Sequence, residues 1–162
     1  MSKRVWISKS ALAQMMWNCE CHYPRETGGI LLGYFGDNGE PVITRIIGPG
    51  AGAVHSQMGF HPDHEFQMRQ LEQAYIESNG DDDYLGDWHS HPKCDNRMSH
   101  LDRKTLTGIS RSTAPKLAEP LMLILTGRRS WEPACYQLSL LPKCKLVPAR
   151  FRRLDVKNYM PE

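Results

Sequence analysis

Apolar and polar positions alternate or recur along this chain with periods that divide it into short strands and helices. Arg4 to Ile7 alternates and predicts a strand. Ser8 or Ser10 then caps a predicted helix to about Cys21, with Leu12, Met15, Met16 and Cys19 on one face at helical spacing. Pro24 ends that segment. Gly28 to Phe35 is an apolar run broken by glycines, and Val42 to Ile47 follows after Gly-Asp-Asn-Gly at 36–39. Together they read as a hairpin. Residues 48–60, rich in Gly and small residues, read as a loop. Pro62 and Asp63 open a second helix with Phe66, Leu71, Tyr75 and Ile76 expected on its inner side; Asn79, Gly80 and three aspartates stop it.

Tyr84 to His91 reads as a strand closed by Pro92, and Ser99 starts a helix reaching about Ser110. Leu121 to Leu125 is a predicted buried strand, with further strands at Cys135 to Leu140 and Lys145 to Val147. The order is β-α-β-β-α-β-α-β-β-β. Strands and helices therefore share one core, an α/β (α+β) class, and the run of strands after residue 120 argues for a mixed rather than a purely parallel sheet.

Composition narrows the picture. A chain of 162 residues suits one domain spanning 1–162, large enough to bury a core without disulfides. Twenty basic against 18 acidic residues give a net charge of +2, with no basic aromatic stripe, so a nucleic-acid partner is not expected. The longest apolar runs are too short to span a bilayer, and Met1 to Trp6 lacks the apolar stretch of a signal peptide. The five cysteines are odd in number and read as reduced thiols of a cytoplasmic protein. Cys19 and Cys21 are one residue apart rather than two, unlike a zinc knuckle. The terminal Arg150, Arg152 and Arg153 read as a solvated basic end.

Three features carry candidate chemistry. In Trp88-His89-Ser90-His91-Pro92, residues two apart on a strand face the same side, so His89 and His91 can aim both imidazoles at one point. In Ser99-His100-Leu101-Asp102, a helix starting at Ser99 puts Asp102 in its first turn. There it can supply a third metal ligand, or simply complete a capping box with Ser99. Two histidines and a carboxylate leave a fourth position open for water, as in catalytic zinc sites. The third feature is Glu26, in Glu26-Thr27-Gly28-Gly29, at the entrance to an inner strand. A carboxylate beside an activated water can take its proton and pass it to a leaving amine. Taken singly, each feature has a plain structural reading: surface histidines, a helix cap and a solvated turn residue. Cys94 reads as an ordinary loop thiol near the histidines, and Trp88 as core or pocket wall.

His89-Ser90-His91, seven residues, Ser99, two residues and Asp102 resemble the His-x-His-x7-Ser-x2-Asp signature of the JAMM metallopeptidases, also called MPN or JAB domains. Glu26-Thr27-Gly28-Gly29-Ile30-Leu31-Leu32-Gly33 resembles the family's upstream glutamate segment. The resemblance implies a curved mixed sheet flanked by helices, and one zinc ion per chain on His89, His91 and Asp102. It also implies Glu26 as general acid and base, and Ser99 as a hydrogen-bond donor to the tetrahedral intermediate. The implied substrate is the amide bond after the C-terminal tail of a ubiquitin-like protein, or its conjugate with a target protein, the tail binding extended at a sheet edge. Asp-Trp-His-Ser-His-Pro looks most like bacterial stand-alone members. Some of those accompany ubiquitin-like conjugation enzymes in antiphage operons, with a cyclic-nucleotide synthase as a conjugation target. Two other readings are a noncatalytic scaffold of the same fold, and a role in nucleic-acid processing like that suggested for RadC proteins, which carry a similar His-x-His-Pro motif. A scaffold of this fold typically lacks the ligands, which are all present here.

Overall fold

The computed structural model describes residues 3–112, 117–140 and 148–161. Its elements are β1 (Arg4–Ser8), α1 (Lys9–His22), β2 (Gly28–Phe35), β3 (Pro41–Ile47), β4 (Val54–Ser56), β5 (Gly59–His61), α2 (His64–Glu77), β6 (Asp83–His91), α3 (His100–Arg111), β7 (Leu121–Arg128), β8 (Ser130–Leu140) and β9 (Arg150–Tyr159). Seven strands close into a barrel in the order β1-β3-β2-β6-β7-β8-β9, and β4 and β5 form a separate two-stranded ribbon. The barrel is mixed. β1 runs parallel to both β3 and β9, and β6 parallel to β7; the other neighbours are antiparallel.

The apolar pattern explains where each face goes. Val5, Ile7, Leu31, Ile43, Leu121, Leu123 and Leu125 point inward and pack with Ala11, Leu12, Met15 and Cys19 of α1 into one core. The alternate residues of β2, Ile30 and Leu32, point outward and meet α2; those of β7, Met122 and Ile124, meet α3. Both strands are covered on both faces, which is why they read as continuous apolar runs rather than alternating ones. Ser8 is the cap of α1, its hydroxyl accepting from the Ala11 N–H at 3.2 Å and donating to Thr44 O at 2.7 Å.

Four expectations need correction. Residues 48–60 are not a plain loop, because β4 and most of β5 fall inside them; short polar strands paired only with each other leave little apolar signal. Tyr75 and Ile76 are exposed, at 50% and 67%. The inner stripe of α2 runs instead through Phe66, Gln67, Leu71 and Ala74, and Gln67 is admitted because its Nε2 donates to Gly48 O at 3.0 Å. β8 begins at Ser130, five residues earlier than expected. Pro133 is tolerated there because it pairs with Leu125 of β7 beyond the stretch where β9 joins. Finally, a strand not expected from the sequence runs through the arginines at 150, 152 and 153, of which Arg150 and Arg153 are exposed, as the reading of a solvated end has it. They lie on β9, which pairs with β8 on one side and β1 on the other, and Leu154 is buried between them. The expected strand at 145–147 lies outside the described residues. No described helix is long and apolar enough to cross a membrane.

Candidate metal centre

A bulge in β6 decides which side chains face outward. Leu31 pairs with Gly86 but Leu32 pairs with Tyr84, so Leu85 is an extra residue. Leu85 and Trp88 both point into the core, three positions apart. Beyond the bulge, Asp87, His89 and His91 share the outer face, while Trp88 and Ser90 face inward. The Trp88 indole is fully buried and donates to Ile47 O at 3.2 Å.

His89 Nε2 and His91 Nε2 stand 2.9 Å apart. Asp102 Oδ1 lies 3.3 Å from His89 Nε2, and Asp102 Oδ2 lies 3.7 Å from His91 Nε2. Ligands at roughly 2.0–2.1 Å around a tetrahedral zinc are separated by about 3.3–3.4 Å, so the observed separations bracket that edge. His91 Nδ1 faces the Asp95 carbonyl oxygen at 3.1 Å. A carbonyl only accepts, so neutral His91 carries its proton on Nδ1 and presents a bare Nε2 lone pair to the shared point. The donor set and its tautomer therefore fit a divalent metal such as zinc. Among the described residues, these three form the group able to hold one.

Asp102 serves two tasks at once. Its side chain accepts the Ser99 N–H at 2.7 Å, while the Ser99 hydroxyl accepts the Asp102 N–H at 3.1 Å, a complete capping box at the start of α3. The same carboxylate reaches the histidines, so the helix cap and the candidate ligand are one residue. Accepting the Asp102 N–H uses a lone pair of the Ser99 hydroxyl and leaves its hydrogen available to donate. Burial would raise the Asp102 carboxyl, but hydrogen bonding and charge from His89, together with the Ser99 N–H, hold it well below the usual carboxylate range. Burial and the neighbouring His89 push His91 below an ordinary imidazole, so it stays neutral as a ligand must.

Glu26 reaches the same place from a distant part of the sequence. It borders, with His89, His91 and Ser99, a cavity of about 820 Å³. Burial raises its carboxyl above the ordinary range; His89 opposes that and Asp102 reinforces it. Its segment is fastened to β6 through the next residue. Thr27 N–H donates to Ser90 Oγ at 3.0 Å, and Ser90 N–H donates to Thr27 O at 2.8 Å. Gly28 and Gly29 permit close packing between β6 and β3: a Cβ on Gly28 would run into Trp88 O, and one on Gly29 into Ile47 O.

Ser90 is a site residue that the sequence motifs do not single out. Its signal was available, since a small polar residue between two outward histidines must face the core and needs a partner there. Asp87 was also passed over. It sits on the outer face beside His89, accepts from the Tyr84 hydroxyl at 2.8 Å, and is raised by burial. Cys94 is exposed at the cavity rim. Cys19 faces the core, with its thiol pushed up to about 12 by burial, whereas Cys21 faces solvent, so the two do not converge.

Comparison with known proteins agrees with this architecture. The chain is 34% identical over 135 residues to the probable metalloprotease y4qB of Sinorhizobium fredii, covering 82% of each. It is 31% identical over 113 residues to a CD-NTase/cGAS isopeptidase of Escherichia coli, covering 68% of this chain and 67% of that protein. A solution structure of a Desulfitobacterium hafniense protein superposes with a TM-score of 0.68 at 17% identity, over 97% of this chain and 94% of that one, and shares its fold. The family of prokaryotic homologues of the JAB domain matches residues 8–134, and the chain belongs to it.

Proposed function

We propose that the chain is a zinc-dependent peptidase or isopeptidase that cuts the amide bond after the C-terminal tail of a ubiquitin-like protein. The observation that carries this reading is the convergence of His89, His91 and Asp102, with Glu26 on the same cavity wall. Two relatives bear the name CD-NTase/cGAS isopeptidase, which supports deconjugation of a protein substrate, with a cyclic-nucleotide synthase as one target. The setting we infer, a bacterial antiphage conjugation system, rests on the resemblance of Asp-Trp-His-Ser-His-Pro to bacterial stand-alone members.

When bound, the zinc ion would polarise the scissile carbonyl and make a water molecule easier to deprotonate. The chain supplies the rest. Glu26, with its raised pKa, accepts the proton from the attacking water and delivers it to the leaving nitrogen. The free Ser99 hydroxyl hydrogen donates to the carbonyl oxygen as negative charge develops there. Bordering the cavity, β5 of the ribbon offers a strand edge along which an extended tail can lie.

The test uses ubiquitin-like fusions carrying a C-terminal peptide extension or an isopeptide-linked lysine peptide. Cleavage after the terminal residue of the tail, abolished by a chelator and restored by zinc, is the expected result. Cleavage that survives complete metal removal would overturn the reading.

A further inference from the structure

The carboxylate of Glu26 is only as well placed as its backbone, and that backbone is held from two sides. On the β6 side the fastening is Thr27 to Ser90, described above. On the opposite side lies β4. Glu26 N–H donates to Ser56 O at 2.7 Å, and Glu26 O faces His55 Nδ1 at 2.9 Å. A carbonyl oxygen only accepts, so His55 must carry its proton on Nδ1.

The His55 ring is itself fixed. One neighbour is His22, stacked at 3.9 Å between centroids with 25° between planes. Phe60 is stacked at 6.0 Å and 18°. His22 stands at the end of α1 and is held by its own Nδ1 contact to Asn18 O at 2.8 Å. A continuous chain of contacts thus runs from the end of α1 through His22 and His55 to the peptide group of Glu26. The far side of the ribbon also borders the carboxylate: a Cβ on Gly59 would sit 4.0 Å from Glu26 Oε2.

We propose that His55 is a positioning residue for the proton-transfer step: its Nδ1–H fixes the Glu26 peptide, and through it the aim of the carboxylate. The proposal rests on the reading of Glu26 as the proton carrier. A misplacement of about 1 Å at a reacting group can cost on the order of 10²-fold in rate. Loss of this hydrogen bond leaves the metal ligands and the cavity walls in place, so it acts on turnover rather than on zinc or substrate binding.

Two variants separate the ring from its donor. His55→Phe keeps an aromatic ring for stacking but has no N–H. His55→Asn loses the stack but places a side-chain N–H near the position of Nδ1. With zinc-loaded protein and an extended ubiquitin-like fusion as probe, His55→Phe should lower kcat by roughly 10- to 100-fold, with KM and zinc content unchanged, and His55→Asn should recover most of that loss. Nitrogen NMR of the zinc-loaded wild-type protein supplies a readout independent of turnover and of any variant's folding. It should show His55 as the Nδ1–H tautomer.

An Nε2–H tautomer at His55 would overturn the proposal. So would wild-type kcat in His55→Phe, or failure of His55→Asn to recover turnover while its melting temperature and zinc content match wild type. Glu26→Gln separates the two ideas: full turnover in that variant would remove Glu26 from the proton-transfer step and leave the tautomer of His55 untouched.

Discussion

The two halves of the centre are built in opposite ways. The ligand corner comes from one short stretch, 89–102, and supports itself. Strand alternation aims the histidines, and the capping box of α3 aims Asp102, with Ser99 three residues away as its partner. The Glu26 arm has no such local support. Its partners are Ser90, sixty-three residues beyond Thr27, and the β4–β5 ribbon. A site that must bind a metal tightly gains from local rigidity. A group that must move a proton can instead be set by long-range contacts, so the same fold can adjust it without disturbing the metal. The contrast predicts that loss of the corner's ligands removes metal and activity together, whereas damage to the arm removes activity alone.

The largest effect should follow from removing the corner. A double His89→Ala, His91→Ala protein leaves only Asp102, and should lose both zinc and turnover entirely. Metal analysis on purified wild-type and variant protein checks this, against about one zinc per chain in the wild type. Full zinc occupancy in the double variant would break the assignment of the ligands.

Next in size is Glu26→Gln, which keeps the shape of the arm and removes its base. Zinc content should stay at the wild-type level while turnover falls by roughly 10²- to 10⁴-fold. The pH profile sharpens the point. Glu26 must be ionised to take a proton, so kcat/KM should fall as pH drops through its pKa. Burial has raised that pKa above the ordinary 4.5, so the acid limb should lie above that value. An acid limb that persists unchanged in Glu26→Gln would mean another group is titrating.

Ser99→Ala tests the cap beside the ligands and should show the smallest effect of these three. As a cap, Ser99 contributes about 1 kcal/mol to stability. That leaves most molecules folded, given a reserve of about 5–15 kcal/mol in an ordinary domain. As a donor to the developing oxyanion, it contributes about 2.7–4 kcal/mol to the barrier, or roughly 10²–10³ in rate. A small drop in melting temperature, normal zinc and a large loss of kcat are expected. A melting shift with unchanged kcat would confine Ser99 to the cap.

Much of this is legible in the sequence alone. The spacing of His89, His91, Ser99 and Asp102 was readable because both devices that place them, strand alternation and a helix cap, act within a few residues. The two readings of Asp102, cap or ligand, turned out to be compatible, since one carboxylate has two oxygens with different partners. By contrast, Tyr75 and Ile76 were misplaced because a helical stripe drifts, and Ala74 and the hydrogen-bonded Gln67 supply the buried positions instead. β9 was missed because its apolar residues, Phe151, Leu154 and Val156, are interrupted by charge. It becomes a strand through parallel pairing with β1, at the other end of the chain.

By itself, then, the sequence determined the three helices, the strands that carry the site, the candidate metal-ligand set and the segment that carries Glu26, because each depends on periodicity or on chemistry between near neighbours. Only the tertiary structure decided the closure of the barrel by β9, the bulge at Leu85 that turns the histidines outward, and the clamp of Ser90, Ser56 and His55 around Glu26. Each of these depends on which strand lies beside which. Pairing between distant strands is fixed by the packing of the whole core, and it leaves no periodic trace in either partner alone.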